Sequence, residues 1–234
     1  MIKKAMILSA GFGKRLNPLT LNQPKPLLKI GKYTLLSNTL NFLEKAGIEM
    51  VVINVHYLSE QIIDYIKKNK FNLKISIIEE KDKILDTGGG ILNAMNHFSK
   101  EPFLVVNPDT IWNLDYLNEL EFMKKLFFKD KENKCFLLVV NKSNSFDKTL
   151  KGDFNLDQNL INRNNKDNLD YIYTGLQIIK PDIFSDIELE VFSINRIWDG
   201  LIKNQKLHGV KSNINFLHVS TLDVYKSLLK KFKS

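Results

Sequence analysis

The chain has 234 residues, 44% of them hydrophobic and 26% charged. That balance excludes a disordered chain, a fibre and a disulfide scaffold, and it is enough for one large domain. A net charge of +8 and a pI near 9.3 suit either nucleic acid or an anionic small substrate. The lysines are spread along the chain, on helix faces (Lys67, Lys68, Lys70) and in the tail (Lys226, Lys230, Lys231, Lys233). Solvated faces account for most of them, so no specific nucleic-acid partner is expected. No window approaches the roughly 18 unbroken apolar residues of a membrane span.

The N-terminus starts basic, but its apolar run is too short for a signal peptide. Residues 5–9 read instead as a first strand, and a cytoplasmic protein is expected. Residues 50–55, 73–78 and 103–107 are further strands rich in Ile, Val and Leu. Between them, 35–46, 59–68 and 91–98 carry apolar residues at helical spacing. Gly47 stops the first helix, and Ser59 is placed to cap the second. Such alternation predicts an α/β fold, with a mixed, mostly parallel sheet sandwiched by helices.

After Asn113 a helix is expected over 114–128 and a buried strand over 136–140. The single cysteine, Cys135, abuts that strand as a small hydrophobe with nothing nearby to activate it. Residues 141–168 are rich in Asn, Asp, Lys and Ser, suggesting mobile loops with short exposed strands at 152–156 and 160–161. A strand over 171–179, a short helix opened by Pro181 and a capped amphipathic helix over 193–203 follow. A strand over 216–219 and a closing helix over 221–232 complete the chain. With no repeat and no linker, 1–234 reads as a single domain.

The segment Leu8-Ser9-Ala10-Gly11-Phe12-Gly13-Lys14-Arg15-Leu16 directly follows the first strand. Glycines there let backbone N–H groups approach phosphates, although a structural turn explains Gly-x-Gly equally well. No Gly-Lys-Ser/Thr of a Walker loop is present, and Leu16 stands where a dinucleotide fingerprint needs its third glycine. Arg15 and Lys25 add weight, since Lys25 is held between Pro24 and Pro26. An Arg fork and a Lys point charge suit a triphosphate held from two sides.

The run from Gly11 to Leu16, through Pro18-Leu19-Thr20 to Pro24-Lys25-Pro26-Leu27, resembles the signature of the sugar-1-phosphate nucleotidyltransferases. The resemblance extends to Asp86-Thr87-Gly88-Gly89-Gly90 and Val105-Val106-Asn107-Pro108-Asp109. It continues in Tyr173-Thr174-Gly175-Leu176-Gln177-Ile178 and Phe216-Leu217-His218-Val219-Ser220-Thr221. Within that family the chain looks similar to the short N-acetylmuramate-1-phosphate uridylyltransferases. The resemblance implies the Rossmann-like fold of nucleotide-diphospho-sugar transferases, with 1–113 as nucleotide-binding half and 114–234 as sugar-binding half.

The same resemblance implies roles. Ser9, Ala10, Gly11 and Gly13 would wrap the nucleotide, with Arg15 on its β- and γ-phosphates. Lys25 would neutralise the α-phosphate and the incoming sugar phosphate. Gly88 and Gly89 would lie near base and ribose, where a side chain would collide. Asn107, Gly152, Thr174 and Gly175 would line the sugar pocket. Arg163 would replace a sugar-phosphate lysine, or be a solvated loop arginine. Asp109 would bind Mg²⁺, with Mn²⁺ the alternative. His218 stands where the family has a second metal-binding aspartate. Magnesium prefers oxygen ligands and imidazole softer metals, so His218 binds metal directly, acts through water, or merely packs.

The implied reaction joins a nucleoside triphosphate, UTP first, to a sugar 1-phosphate in a monomer or homodimer. Mannose-1-phosphate guanylyl transfer, phosphocholine cytidylyl transfer and a non-catalytic regulator are its rivals. The nucleophile is already ionised, so positioning and charge neutralisation suffice. Elsewhere, His56 reads as a base contact or a structural histidine, and Glu79-Glu80 as touching ribose or facing water. Trp112 and Trp198 read as packing rather than ligand stacking.

Overall fold

The computed structural model describes residues 1–164 and 167–232. Asn165 and Lys166 of the expected loop stretch, and Lys233 of the tail, lie outside them.

Strand β1 (Lys4–Leu8) precedes a small hairpin, β2 (Lys29–Ile30) and β3 (Tyr33–Thr34). Helix α1 (Leu35–Lys45) leads to β4 (Met50–Val55), α2 (Ser59–Lys68) to β5 (Lys74–Glu79), and α3 (Asp86–Asn93) to β6 (Phe103–Val106). Helix α4 (Asp115–Lys129), β7 (Cys135–Asn141), β8 (Asn155–Asp157), β9 (Leu160–Asn162) and β10 (Tyr171–Ile179) follow. The chain closes with α5 (Asn195–Lys203), β11 (His208–Ser212) and α6 (Leu222–Lys231).

Among the described residues, every strand but β2 and β3 joins one mixed sheet, ordered β5-β4-β1-β6-β10-β7-β11-β9-β8. Strands β5, β4, β1 and β6 run parallel. Strand β10 is antiparallel to both β6 and β7, and β11 returns parallel to β7. The period of two divides side chains between two cores. Ile7, Val51, Ile53 and Val106 meet Leu40 of α1, Ile62 of α2 and Phe127 of α4. Met6, Val52 and Val105 meet Ile91 of α3 and Trp198 of α5 on the other face. Full burial of each such side chain stabilises by about 1.5–3 kcal/mol, which is why the parallel strands read as continuous apolar runs.

Four expectations are corrected. Ser59 does not cap α2: Leu58 precedes the helix at φ 49°, and the Ser59 hydroxyl donates to Glu79 at 2.6 Å. Helix α3 begins at Asp86 rather than Ile91, taking in the glycine run, and a 3₁₀ turn over Met95–His97 replaces its expected end. Residues 216–219 form no strand, only single bridges from Phe216 to Ser145 and from His218 to Thr110. The sheet is filled instead by β11, whose Gly209 lets the chain pass 2.7 Å, measured from an added Cβ, from the Leu137 carbonyl. The 152–156 segment is not wholly exposed, because Phe154 is fully buried against Trp198.

Candidate active site

A cleft of about 460 Å³ opens at the carboxyl ends of β1, β4 and β6, where parallel sheets bind ligands. Its floor is the loop from Ser9 to Gly13. The Ser9 N–H donates to Asn54 Oδ1 at 3.0 Å, which fixes the start of the loop to β4. Gly13 turns the loop at φ 64°, where an added Cβ would press on Lys25 and Thr20 at 3.1 Å. Thr20 donates from Oγ1 to the Gly13 carbonyl at 3.0 Å, closing the turn. Gly11 differs: an added Cβ there meets nothing of the protein within 4 Å. Protein packing therefore does not demand that glycine.

Asn54 is itself held. Its Nδ2 donates to Glu80 Oε1 at 2.7 Å, while Glu80 Oε2 accepts the Leu85 N–H at 2.7 Å. Glu80 is buried, neither facing water nor lining the cleft. His56 is structural, its Nδ1 lying 2.6 Å from the Glu80 carbonyl oxygen. Asn54 escaped the sequence reading, although a lone Asn in an otherwise apolar strand was the available signal, and Glu80 does neither of the things expected of it.

Beside the loop, Lys25 sits on a 3₁₀ turn (Lys25–Leu27) and reaches Asp109. Its Nζ donates to Asp109 Oδ2 at 2.5 Å, with the two side chains 13% and 19% exposed. Asp109 lies just past β6, its carbonyl accepting the Val219 N–H at 2.8 Å. That bond, and the bridge between Thr110 and His218, set the His218 ring beside the carboxylate. His218 Nε2 lies 3.1 Å from Asp109 Oδ2. Burial alone would raise the Asp109 pKa, but Lys25 and then His218 outweigh it and hold the carboxyl well below the usual range. Asp109 Oδ1 is buried and has no partner.

That free oxygen suits a hard divalent cation. Among the described residues no group of three or more His, Cys, Asp or Glu could hold a metal unaided. A Mg²⁺ ion bound through one carboxylate and substrate phosphates fits what is present.

Of the residues singled out from sequence, Ser9, Ala10, Gly11, Gly13, Arg15, Lys25, Asn107 and Asp109 converge on this cleft, joined by Asn54, Asp86 and Thr87. Gly88 and Gly89 do not line it. The collision expected from base and ribose comes from the protein itself, with added Cβ atoms falling 2.4 Å from the Phe192 ring and 2.3 Å from the Glu190 carbonyl. Both N–H groups donate to the Phe192 carbonyl, at 2.9 and 3.0 Å.

Of the expected sugar contacts, Asn107 lines the cleft, whereas Gly152, Arg163, Thr174 and Gly175 lie outside its lining. The Thr174 hydroxyl donates to the Leu138 carbonyl at 2.8 Å. Gly175, at φ 90°, packs on Asn107, and Gly152 on the Leu169 carbonyl. Arg163 is no solvated loop arginine: it pairs with Asp199, donates to Asn195 at 2.6 Å and covers the Phe154 ring. Trp112 and Trp198 are core residues, with Trp112 stacked on Phe42 and Trp198 donating to Gln177 at 3.1 Å. Cys135 is buried and its thiol is pushed up to about 12, chiefly by that burial.

Residues 4–146 match the nucleotidyl transferase family. The chain is 31% identical to the N-acetylmuramate alpha-1-phosphate uridylyltransferase of Neisseria meningitidis serogroup B, over 94% of each chain. It is 29% identical to the protein of the same name from Caulobacter vibrioides, over 93% of this chain and 91% of that one. The fold superposes on HddC from Yersinia pseudotuberculosis with a TM-score of 0.76 at 24% identity, over 99% of this chain and 100% of that one. Loop, lysine and aspartate thus meet in one cleft within the matched region, and the chain belongs to the nucleotidyl transferase family as an enzyme of the sugar-1-phosphate nucleotidyltransferase type.

Proposed function

We propose that the enzyme transfers a uridylyl group from UTP to N-acetylmuramate 1-phosphate, releasing pyrophosphate, in the cytoplasmic recycling of cell-wall sugars. The reaction class rests on one observation above all. Lys25 and Asp109 pair beside a glycine loop that leads into Arg15, at the carboxyl ends of parallel strands. The choice of uridine and N-acetylmuramate rests on the likeness to the two uridylyltransferases, which extends over nine-tenths of each chain.

In this reading the loop N–H groups and the Arg15 fork hold the β- and γ-phosphates. Lys25 lies between the α-phosphate and the sugar phosphate, where it offsets the repulsion between two anions. The sugar-phosphate oxygen attacks the α-phosphorus in line. Its bond to phosphorus forms as the bond to the bridging oxygen breaks, and the electron pair leaves with pyrophosphate. No general base is required, so the cleft needs neither a nucleophile nor a free histidine. Asp109 would hold Mg²⁺, which supplies charge neutralisation on the leaving group. The cleft lining comes entirely from residues before 110, which supports 1–113 as the nucleotide half. We assign Asn107, which lines the cleft and packs on Gly175 of the 114–234 half, to the sugar.

Pyrophosphate release tests this, with the four triphosphates crossed against N-acetylmuramate, N-acetylglucosamine, glucose and mannose 1-phosphates and phosphocholine. UTP with N-acetylmuramate 1-phosphate is the expected pair. GTP with mannose 1-phosphate, or CTP with phosphocholine, would replace the substrates and keep the reaction class. Silence from protein that still binds a triphosphate would favour a regulator.

A further inference from the structure

We infer that Arg163 is a positioning residue: from outside the cleft it closes a hydrogen-bonded hoop that joins Thr87 on the nucleotide wall to Asn107 on the sugar side. The inference rests on the nucleotidyl-transfer reading above.

The hoop can be followed bond by bond. Thr87 and Asn107 both line the cleft. Thr87 Oγ1 accepts the Ile194 N–H at 2.9 Å, at the start of α5. The next residue, Asn195, accepts from Arg163 Nη2 through Oδ1 at 2.6 Å, and one turn further along α5 Asp199 accepts from Nη1. The third arm, Nε, donates to the Asp153 carbonyl at 3.2 Å. Asp153 Oδ2 accepts the Tyr173 N–H at 2.9 Å. Two residues on, the Gly175 carbonyl accepts the Asn107 N–H at 2.8 Å. A planar guanidinium suits this place, since its fork serves three acceptors at fixed angles.

The β8–β9 hairpin needs that fastening. Among the described residues β9 meets β11 in one register pair, Leu160 with His208, and Phe154 bridges Tyr171 just before the hairpin. Packing follows the same line as the hydrogen bonds. The Arg163 guanidinium lies 4.6 Å from the centre of the Phe154 ring, which packs at 5.6 Å on Trp198 of α5, and Trp198 packs at 4.9 Å on Tyr173. None of the partners of Arg163 lines the cleft. Its arms are engaged, so it acts on the sugar phosphate through Asp153, Tyr173 and Asn107. In-line attack is sensitive to such placement, because a shift of about 1 Å costs on the order of a hundredfold. The Arg163–Asp199 pair, with side chains 23% and 61% exposed, contributes little to global stability.

Pyrophosphate release tests this, with UTP and N-acetylmuramate 1-phosphate or whichever pair of the panel above the wild type turns over. Arg163→Leu should lower kcat/KM for the sugar phosphate by about ten- to a hundredfold. The KM for the triphosphate should stay as it is, because α3 and Ile194 still hold Thr87. Asn195→Ala combined with Asp199→Ala keeps the arginine but removes its anchors, and should reproduce most of that loss. Arg163→Lys offers one point charge for three arms and should not restore activity. A direct role on the sugar phosphate predicts the opposite pattern, with kcat/KM retained in the double variant and partly recovered by lysine. That pattern, or a loss confined to the triphosphate KM, would overturn the inference. Losses that track a fall in melting temperature would mark a merely structural arginine and overturn it too. A wild type silent across the whole panel would instead sink the nucleotidyl-transfer reading.

Discussion

Removing the Glu80 carboxylate should unfasten the phosphate loop from behind. Glu80 is 3% exposed and accepts two buried donors, Asn54 Nδ2 and the Leu85 N–H, each at 2.7 Å. Glu80→Ala orphans both. Each lost partner costs about 1–3 kcal/mol, and the ordering entropy no longer spent on a Glu side chain returns about 1.5–2 kcal/mol. At mid-range the expected net loss is about 2 kcal/mol, read from the midpoint and slope of urea unfolding. Glu80→Gln keeps one acceptor and sets an N–H₂ against the other donor, so its loss should be smaller. Because Asn54 also holds the Ser9 N–H, the KM for the triphosphate should rise more than kcat falls. Gly90 offers an independent route, since an added Cβ would fall 2.8 Å from Asn54 Nδ2 and 2.9 Å from Glu80 Oε1. Helix propensity alone favours Gly90→Ala by about 1 kcal/mol, so net destabilisation requires the network. In a Glu80→Ala background one of the two close contacts is gone and Asn54 loses its anchor, so the same change should cost less, giving a coupling energy in a double-mutant cycle. Strict additivity of Glu80→Ala with Gly90→Ala, or a Glu80→Ala variant more stable than wild type, would refute the reasoning.

Gly88→Ala should destabilise, because its Cβ would lie 2.4 Å from the Phe192 ring. Phe192→Ala should by itself cost about 3–5 kcal/mol yet make room for the methyl, so thermal melting of the double variant should show less than the summed loss. The Asp109 carboxyl is held below its usual range in the folded state, so its contribution to stability is complete above about pH 4 and fades as pH falls below that. The gap in unfolding free energy between wild type and Asp109→Asn should therefore narrow on acidification, and a gap that stays constant with pH would contradict the pairing.

The parallel half of the sheet was legible residue by residue. Strand β4 matches its expected bounds, and β1, β5 and β6 fall within a residue of theirs, because β1, β4 and β6 are buried on both faces and must be apolar, while the half-buried edge strand β5 still carries an Ile-rich run. The loop, Arg15, Lys25 and Asp109 were legible too, since glycine freedom and fixed charge are properties of residue types. Helix α3 and strand β11 were not. Three successive glycines have poor helix propensity, and they are helical because the 190–192 segment and the Asn54–Glu80 pair leave no space for side chains. Strand β11 carries His208, Gly209 and Lys211, and only its neighbours β7 and β9 make a strand of it. The same holds within the site. Residue type made Asp109 an anion and His218 a candidate ligand, but which oxygen stays free depends on where Lys25 and His218 meet it. That meeting joins positions 84 and 109 residues apart in the chain, Lys25 to Asp109 and Asp109 to His218. Local sequence determines what a group can do, and burial and distance decide which of those things it does.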